Sequence, residues 1–188
     1  IRNHSEIELA LGTAHTTGII HFIGDSDCGR MIFHDNTAVK WGMPVVAILK
    51  GGSRITGRGH IIWKGKTSTE KRGLIADISS KKSFQINKTN RIILELEIFG
   101  FFPKKSTESK VYEHNLNAVD CGDYLLSRSM FKDISNSISK LAGTMGGIRP
   151  EELPGKISRP KNIIKSVCTV LLKENKINNR NGIFFNSD

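Results

Sequence analysis

The amino-acid sequence predicts a mainly β chain, a small barrel or sandwich, with a helical C-terminal region, so α+β overall. Three observations predict it. Short apolar runs recur between Gly, Asn, Lys and Ser clusters from Gly18 to about Gly100, the spacing of many short strands. After "FFPKKSTESK" the apolar residues change to helical spacing. The chain has 188 residues and 38% hydrophobic content gathered in clear runs, enough to bury a core.

The elements follow in order. "GIIHFI", "RMIFH", "PVVAIL", "HIIW", "GLIADI" and "RIILELEIF" read as strands of a β-rich, barrel-like domain over residues 1–102. The Gly-rich, basic "KGGSRITGRG" reads as a mobile loop between two of them. Beyond residue 102, Phe131, Ile134, Ile138 and Leu141 fall on one helical face, and "GTMGG" stops that helix. "RPEELPGKISRP", near residues 148–160, reads as a Pro-rich connector. Ile163, Ile164, Val167, Cys168, Leu171 and Leu172 then share the apolar face of a second helix with Pro160 near its start, which makes Cys168 a core residue. The tail "NKINNRNGIFFNSD" reads as frayed unless Phe184 and Phe185 dock. Residues 103–188 are thus a basic, mostly helical region.

Charge narrows the function. The chain has 28 Lys and Arg against 18 Asp and Glu, a formal net charge of +10, and the basic residues gather after Trp63. A basic face of this kind calls for a polyanion, RNA or DNA. No apolar run approaches the roughly 18 residues of a membrane span. No cleavable signal is visible, and the start at Ile1 reads as processing, a start further upstream, or excision from something longer. Cys28, Cys121 and Cys168 show no CxxC or Cys/His metal spacing. That argues against a disulfide framework or zinc site, and for a reducing, intracellular compartment with no cofactor or metal. "NKT" at Asn87 matches a glycosylation acceptor but, without a secretion signal, reads as chance.

Candidate nucleic-acid contacts are Arg54 and Arg58 in the Gly-rich segment, with Lys64, Lys66, Lys71 and Arg72 after it. Their cationic ends and the loop's backbone N–H groups suit phosphates. The segment lacks the Gly-Lys-Ser/Thr ending of a Walker loop. Asp77 with Glu108 and Lys110 imitates a nuclease acid pair with its lysine but lacks an apolar strand to hold it. His114, Asp120, Cys121 and Asp123 read as a metal or nuclease loop or, preferably, as a plain turn.

"GDSDCGRMIFHDN", Gly24 to Asn36, puts an acid, a hydroxyl, a thiol and two glycines on one turn before an apolar strand. Glycine permits backbone angles that aim a side chain outward while successive N–H groups converge, the layout of a nucleophile beside an oxyanion hole. "DCGRMIFHDN", "VVAILKGG" and "WKGKT", over about residues 24–67, resemble the second barrel of chymotrypsin-like viral proteases. The pattern is similar to the alphavirus capsid protease, and a cysteine nucleophile is similar to the picornavirus-type 3C proteases. The resemblance implies Cys28 as nucleophile, with Ser26 as the alternative, and the N–H groups of Cys28 and Ser26 as oxyanion hole. It further implies Val45 to Ile48 and Gly51-Gly52 as walls of the substrate site. The family's general base lies upstream of the nucleophile, which leaves His15 and His21 as candidates, with His34 on the following strand. A viral source would place the chain in host cytoplasm or virion.

The same segment, "DNTA" to "VAILKGGSRITGRGHII", is also similar to the large-subunit ribosomal β-barrel family numbered fourteen, which binds ribosomal RNA. Two functions are therefore expected. One is a chymotrypsin-like viral protease or capsid-protease domain that takes a peptide substrate and also binds nucleic acid. The other is a non-enzymatic RNA-binding structural protein, ribosomal or a viral capsid or movement protein, assembling with other chains.

Overall fold

A computed structural model describes residues 2–51, 54–104 and 117–187. The chain is α+β and divides into two compact units, Ile1–Leu94 and Glu95–Asp188.

In the first unit, β1 (Glu6–Leu11), β2 (Ala14–Phe22), β3 (Gly29–Phe33), β4 (Pro44–Leu49) and β5 (Ile55–His60) form an antiparallel sheet in the order β3-β2-β1-β4-β5. The sequence "EIELAL" makes β1 the central strand. Ile7, Leu9 and Leu11 are buried, whereas Glu6, Glu8 and Ala10 on the other face are half-buried, the signature of a sheet packed on one side. Ala47, Ile20, Met31 and Phe33 complete that apolar face. Among the described residues the sheet is open at β3 and β5, so it is not a closed barrel.

Four sequence expectations need correction here. "HIIW" is not a strand of its own: His60 ends β5 and residues 61–63 are irregular. The loop expected over "KGGSRITGRG" contains β5, because "ITGRGH" pairs along β4, Val46 opposite Arg58 and Pro44 opposite His60. "GLIADI" lies in a helix, α1 (Thr69–Ser79), capped by Ser68, whose side chain accepts from the Lys71 N–H at 3.3 Å. "RIILELEIF" forms α2 (Lys88–Phe99), begun where Asn87 Oδ1 accepts from the Asn90 N–H at 2.8 Å. Ile92, Leu94, Leu96 and Ile98 alternate like a strand and all four are buried. At about 100° per residue they make two stripes on opposite sides of the helix, Ile92 with Leu96 and Leu94 with Ile98. A helix buried on two sides imitates strand periodicity.

The second unit begins with β6 (Phe101–Pro103), β7 (Ala118–Asp120) and β8 (Tyr124–Ser127), ordered β6-β8-β7. Cys121 to Asp123 is the tight turn between β7 and β8, with Asp120 Oδ1 accepting from the Gly122 N–H at 2.9 Å. α3 (Arg128–Ala142) follows, capped by Ser127 and buried along Met130, Ile134, Ile138 and Ala142. The expected connector carries one turn of helix, α4 (Leu153–Lys156), and then α5 (Lys161–Lys173). Ile163, Ile164, Val167, Cys168 and Leu171 are buried as the spacing predicts. The tail is not frayed. It forms a hairpin, β9 (Ile177–Arg180) and β10 (Ile183–Asn186), with Phe184 docked in the core. Among the described residues no helix is long and apolar enough to cross a membrane.

Candidate nucleic-acid interface

The order α3, a short strand contact at Ile148, α4, a turn, α5 and a hairpin follows the element order of a helix-turn-helix with a β-hairpin wing. α5 turns its apolar stripe inward, so Lys161, Asn162, Lys165, Thr169 and Lys173 stand exposed along the opposite side. Its first turn holds no acidic residue and begins with Lys161. Cations at the positive end of a helix dipole do not help the helix, whereas they suit an anionic partner placed there.

The hairpin extends that surface. Arg180 pairs with Ile183, leaving the two-residue loop Asn181-Gly182, and both loop residues have positive φ, 51° and 79°. This is the turn that Asn-Gly favours between antiparallel strands. Asn179 Oδ1 braces it by accepting from the Gly182 N–H at 3.0 Å. Asn179, Arg180 and Asn181 are all exposed. From Leu153 to Ser187 there are seven Lys and Arg and one acidic residue, Glu174, whose carboxylate is taken by Lys176 at 2.7 Å. The surface is thus cationic with amide side chains interleaved, which fits phosphate contact plus hydrogen bonding to bases.

Sequence reasoning missed Lys161, Lys165 and Arg180. Two signals were present: lysines four apart on the polar side of an apolar helix, and Asn-Gly between short apolar runs. The six cations it selected lie in the first unit. Arg54, Arg58, Lys64 and Lys66 are exposed, at β5 and just after it, while Lys71 and Arg72 are half-buried in α1. Arg72 donates to Thr67 O at 2.7 Å and Thr69 Oγ1 at 2.8 Å, so its guanidinium is already fixed.

At the cysteine turn, the Cys28 thiol shares a hydrogen bond with Ser79 Oγ at 2.9 Å, and no histidine is hydrogen-bonded to it among the described residues. The two N–H groups expected to hold an oxyanion are used within the turn. Cys28 N–H donates to Ser26 Oγ at 3.3 Å, and Ser26 N–H to Ile23 O at 3.3 Å. Ser26 Oγ itself donates to Ile23 O at 2.5 Å. His15 is held by Glu8 at 2.6 Å and sits six residues along β2 from His21, a separation of about 20 Å in a strand. One turn cannot use both. His34 lies 4.0 Å from Glu6. Val45 to Ile48 belong to β4, which β1 and β5 pair on both sides, so no free edge is offered to a substrate strand. Gly51 is exposed; Gly52, Glu108, Lys110 and His114 lie outside the described residues.

The other two thiols are walled in. Burial, and then the charge of Asp120, push Cys121 up to about 12. Cys168 lines a cleft of about 350 Å³ between α4 and α5, and burial pushes it up to about 11. Asp120 forms an ion pair with Lys104. Among the described residues no three His, Cys, Asp or Glu side chains gather as metal ligands.

No family model and no curated protein matches the sequence. A solved structure does match in fold, that of a bacterial selenocysteine-specific elongation factor. It is 14% identical, the match covers 100% of this chain, and the TM-score is 0.59. This chain spans 32% of the length of that protein.

Proposed function

We propose that the chain is a non-enzymatic RNA-binding segment of a translation factor, contacting RNA through α5 and the β9–β10 hairpin. The observation that carries this reading is the exposed Lys161-Asn162-Lys165 face, which opens the second helix of a helix-turn-helix. Helices in that position present their N-terminal residues to nucleic acid. The likeness to an elongation factor runs through both units and favours RNA over DNA. The net charge of +10 supports a polyanion independently of any likeness.

A-form RNA hides its major-groove edges from side chains, so a surface of lysines and amides suits phosphates together with unpaired bases in a loop or bulge. Fluorescence anisotropy with labelled RNA hairpins, matched single strands and DNA duplexes tests the reading. Structured RNA should bind best, and the pair K161E/K165E should weaken it about tenfold or more. Equal binding of duplex DNA and RNA, or full binding by the double variant, would sink it.

A further inference from the structure

A second cationic cluster lies in the first unit, on the solvent side of its sheet. The β1–β2 register begins at Glu6 opposite Ile19, and just before it the chain turns, Ser5 N–H donating to Arg2 O at 3.2 Å, which sets His4 beside His21. His4 and Ser5 both face Ile20, as in a β-bulge: His4 N–H donates to Ile20 O at 2.9 Å, and Ile20 N–H to Ser5 O at 3.1 Å. The two imidazoles meet edge to face with centroids 4.5 Å apart. Across the other edge of β2, His21 pairs directly with Arg30 of β3. Three cationic or ionisable side chains therefore stand side by side, one from the turn before β1 and two from the paired strands β2 and β3.

Such a cluster opposes folding, because like charges directly opposite one another repel. It also carries backbone strain. His4 has φ 63°, a left-handed conformation that non-glycine residues rarely adopt. Asn3 pins the segment, its Oδ1 accepting from the Phe22 N–H at 2.9 Å and the His4 N–H at 3.1 Å. Among the described residues no carboxylate forms an ion pair with His4, His21 or Arg30. Glu6, the acid two residues along from His4, is taken by Lys50 at 2.6 Å and faces His34 at 4.0 Å. Arg72 of α1 adds a fourth positive charge. His4 and Arg30 are exposed, and His21 and Arg72 half-exposed, so the spot is open to solvent.

We propose that His4, His21 and Arg30, flanked by Arg72, form a phosphate-binding site, for a backbone phosphate of RNA or a free phosphate. The site is independent of α5 and stands whether or not α5 binds RNA. Among the described residues the groups that act on His21 are cationic or ionisable to a cation: His4 before β1, Arg30 on β3 and Arg72 on α1. With the site empty, partial burial and these charges, in that order, lower the His21 pKa. A phosphate reverses the electrostatic part, so binding takes up protons and tightens as pH falls. The slope is up to about tenfold per pH unit for each proton taken up.

The test follows the imidazole C–H resonances of His4 and His21 in the full chain, in chloride and in inorganic phosphate at equal ionic strength. Phosphate should raise the apparent pKa of His21, chloride should not, and R30Q should lose most of the response. A short RNA strand then distinguishes the sources. If it moves the same resonances, the site takes a backbone phosphate; if inorganic phosphate alone does, it takes the free anion. The K161E/K165E chain should keep the response, which separates this site from the α5 surface. An equal response to chloride, or an undiminished one in R30Q, would overturn the proposal.

Discussion

Ile148 and Phe184 exchange backbone hydrogen bonds in both directions, Ile148 N–H to Phe184 O at 3.0 Å and Phe184 N–H to Ile148 O at 2.8 Å. This contact ties the hairpin to the strand-like residue after α3 and seats the Phe184 ring, 4% exposed, in the core of the second unit. The approach is close enough to dictate Gly147. Its φ is 64°, and a Cβ there would lie 2.6 Å from both Ile183 Cγ2 and Phe184 O. Gly147→Ala should therefore destabilise the second unit by about 1–3 kcal/mol. Urea unfolding followed by helical ellipticity would show it, and an unchanged midpoint would contradict the contact.

The Asn181-Gly182 turn makes a second, milder prediction. A side chain at Gly182, φ 79°, meets no neighbour but must adopt the left-handed conformation, at roughly 1–2 kcal/mol. Gly182→Ala should speed amide hydrogen exchange along β9 and β10 while α3 and α5 stay protected. Exchange that rises equally in all of them would mean the hairpin is no separate local element.

RNA affinity should fall with salt, and the slope should report which lysines touch phosphate. Removing one phosphate contact lowers the slope of log K against log salt by about 0.7–0.9. K161Q and K165Q should each show such a decrease. A slope that neither change moves would place the phosphates elsewhere.

The thiols should separate by environment. In the folded chain an alkylating reagent should modify the half-buried Cys28, whereas Cys121 and Cys168, buried and pushed up to about 12 and about 11, should react only on unfolding. Because Cys28 is bonded to Ser79 and His15 to Glu8, His15→Ala should leave the Cys28 rate within about twofold. A large drop in that variant, or in His21→Ala, would restore an imidazole base to Cys28 and with it peptidase chemistry.

His21 gives the stability a pH dependence of definite sign. Its folded pKa lies below the ordinary 6.5, so the unfolded chain binds the proton more readily. Stability should be full above about 6.5 and should decline as the pH falls toward the lower folded value. The urea midpoint of the tryptophan signal should decrease on acidification, and less so in H21Q, which leaves a neutral side chain. An identical decrease in H21Q would assign the effect to other groups.

Local patterns made much of the fold legible. β2, β3 and β4 stand where their apolar runs are, and α3 and α5 bury the faces their spacing marks. α1 was misread because "GLIADI" is apolar at both strand and helix periods, and Ser68 decides only as a cap. β5 was misread because glycines at 57 and 59 remove the side chains that would show alternation. The hairpin shows in the sequence only through Asn181-Gly182, because a two-residue turn needs positive φ at both positions and this dipeptide tolerates it. Of the candidate sites, the charge argument points to six cations of the first unit, while composition counts lysines without saying which share a face.

By itself the sequence determined the strands β2 to β4, the inward stripe of α5 and the excess of positive charge, because each depends on residues near one another in the chain. Tertiary structure alone decided the rest. Burial of α2 on two opposite sides turned a strand-like alternation into a helix. The β2–β3 register and the turn before β1 brought His4, His21 and Arg30 together from three separate segments. Packing of α1 gave the Cys28 thiol a serine partner from 51 residues away. Register and packing are long-range choices, made by whichever arrangement buries most apolar surface and leaves fewest polar groups unpaired.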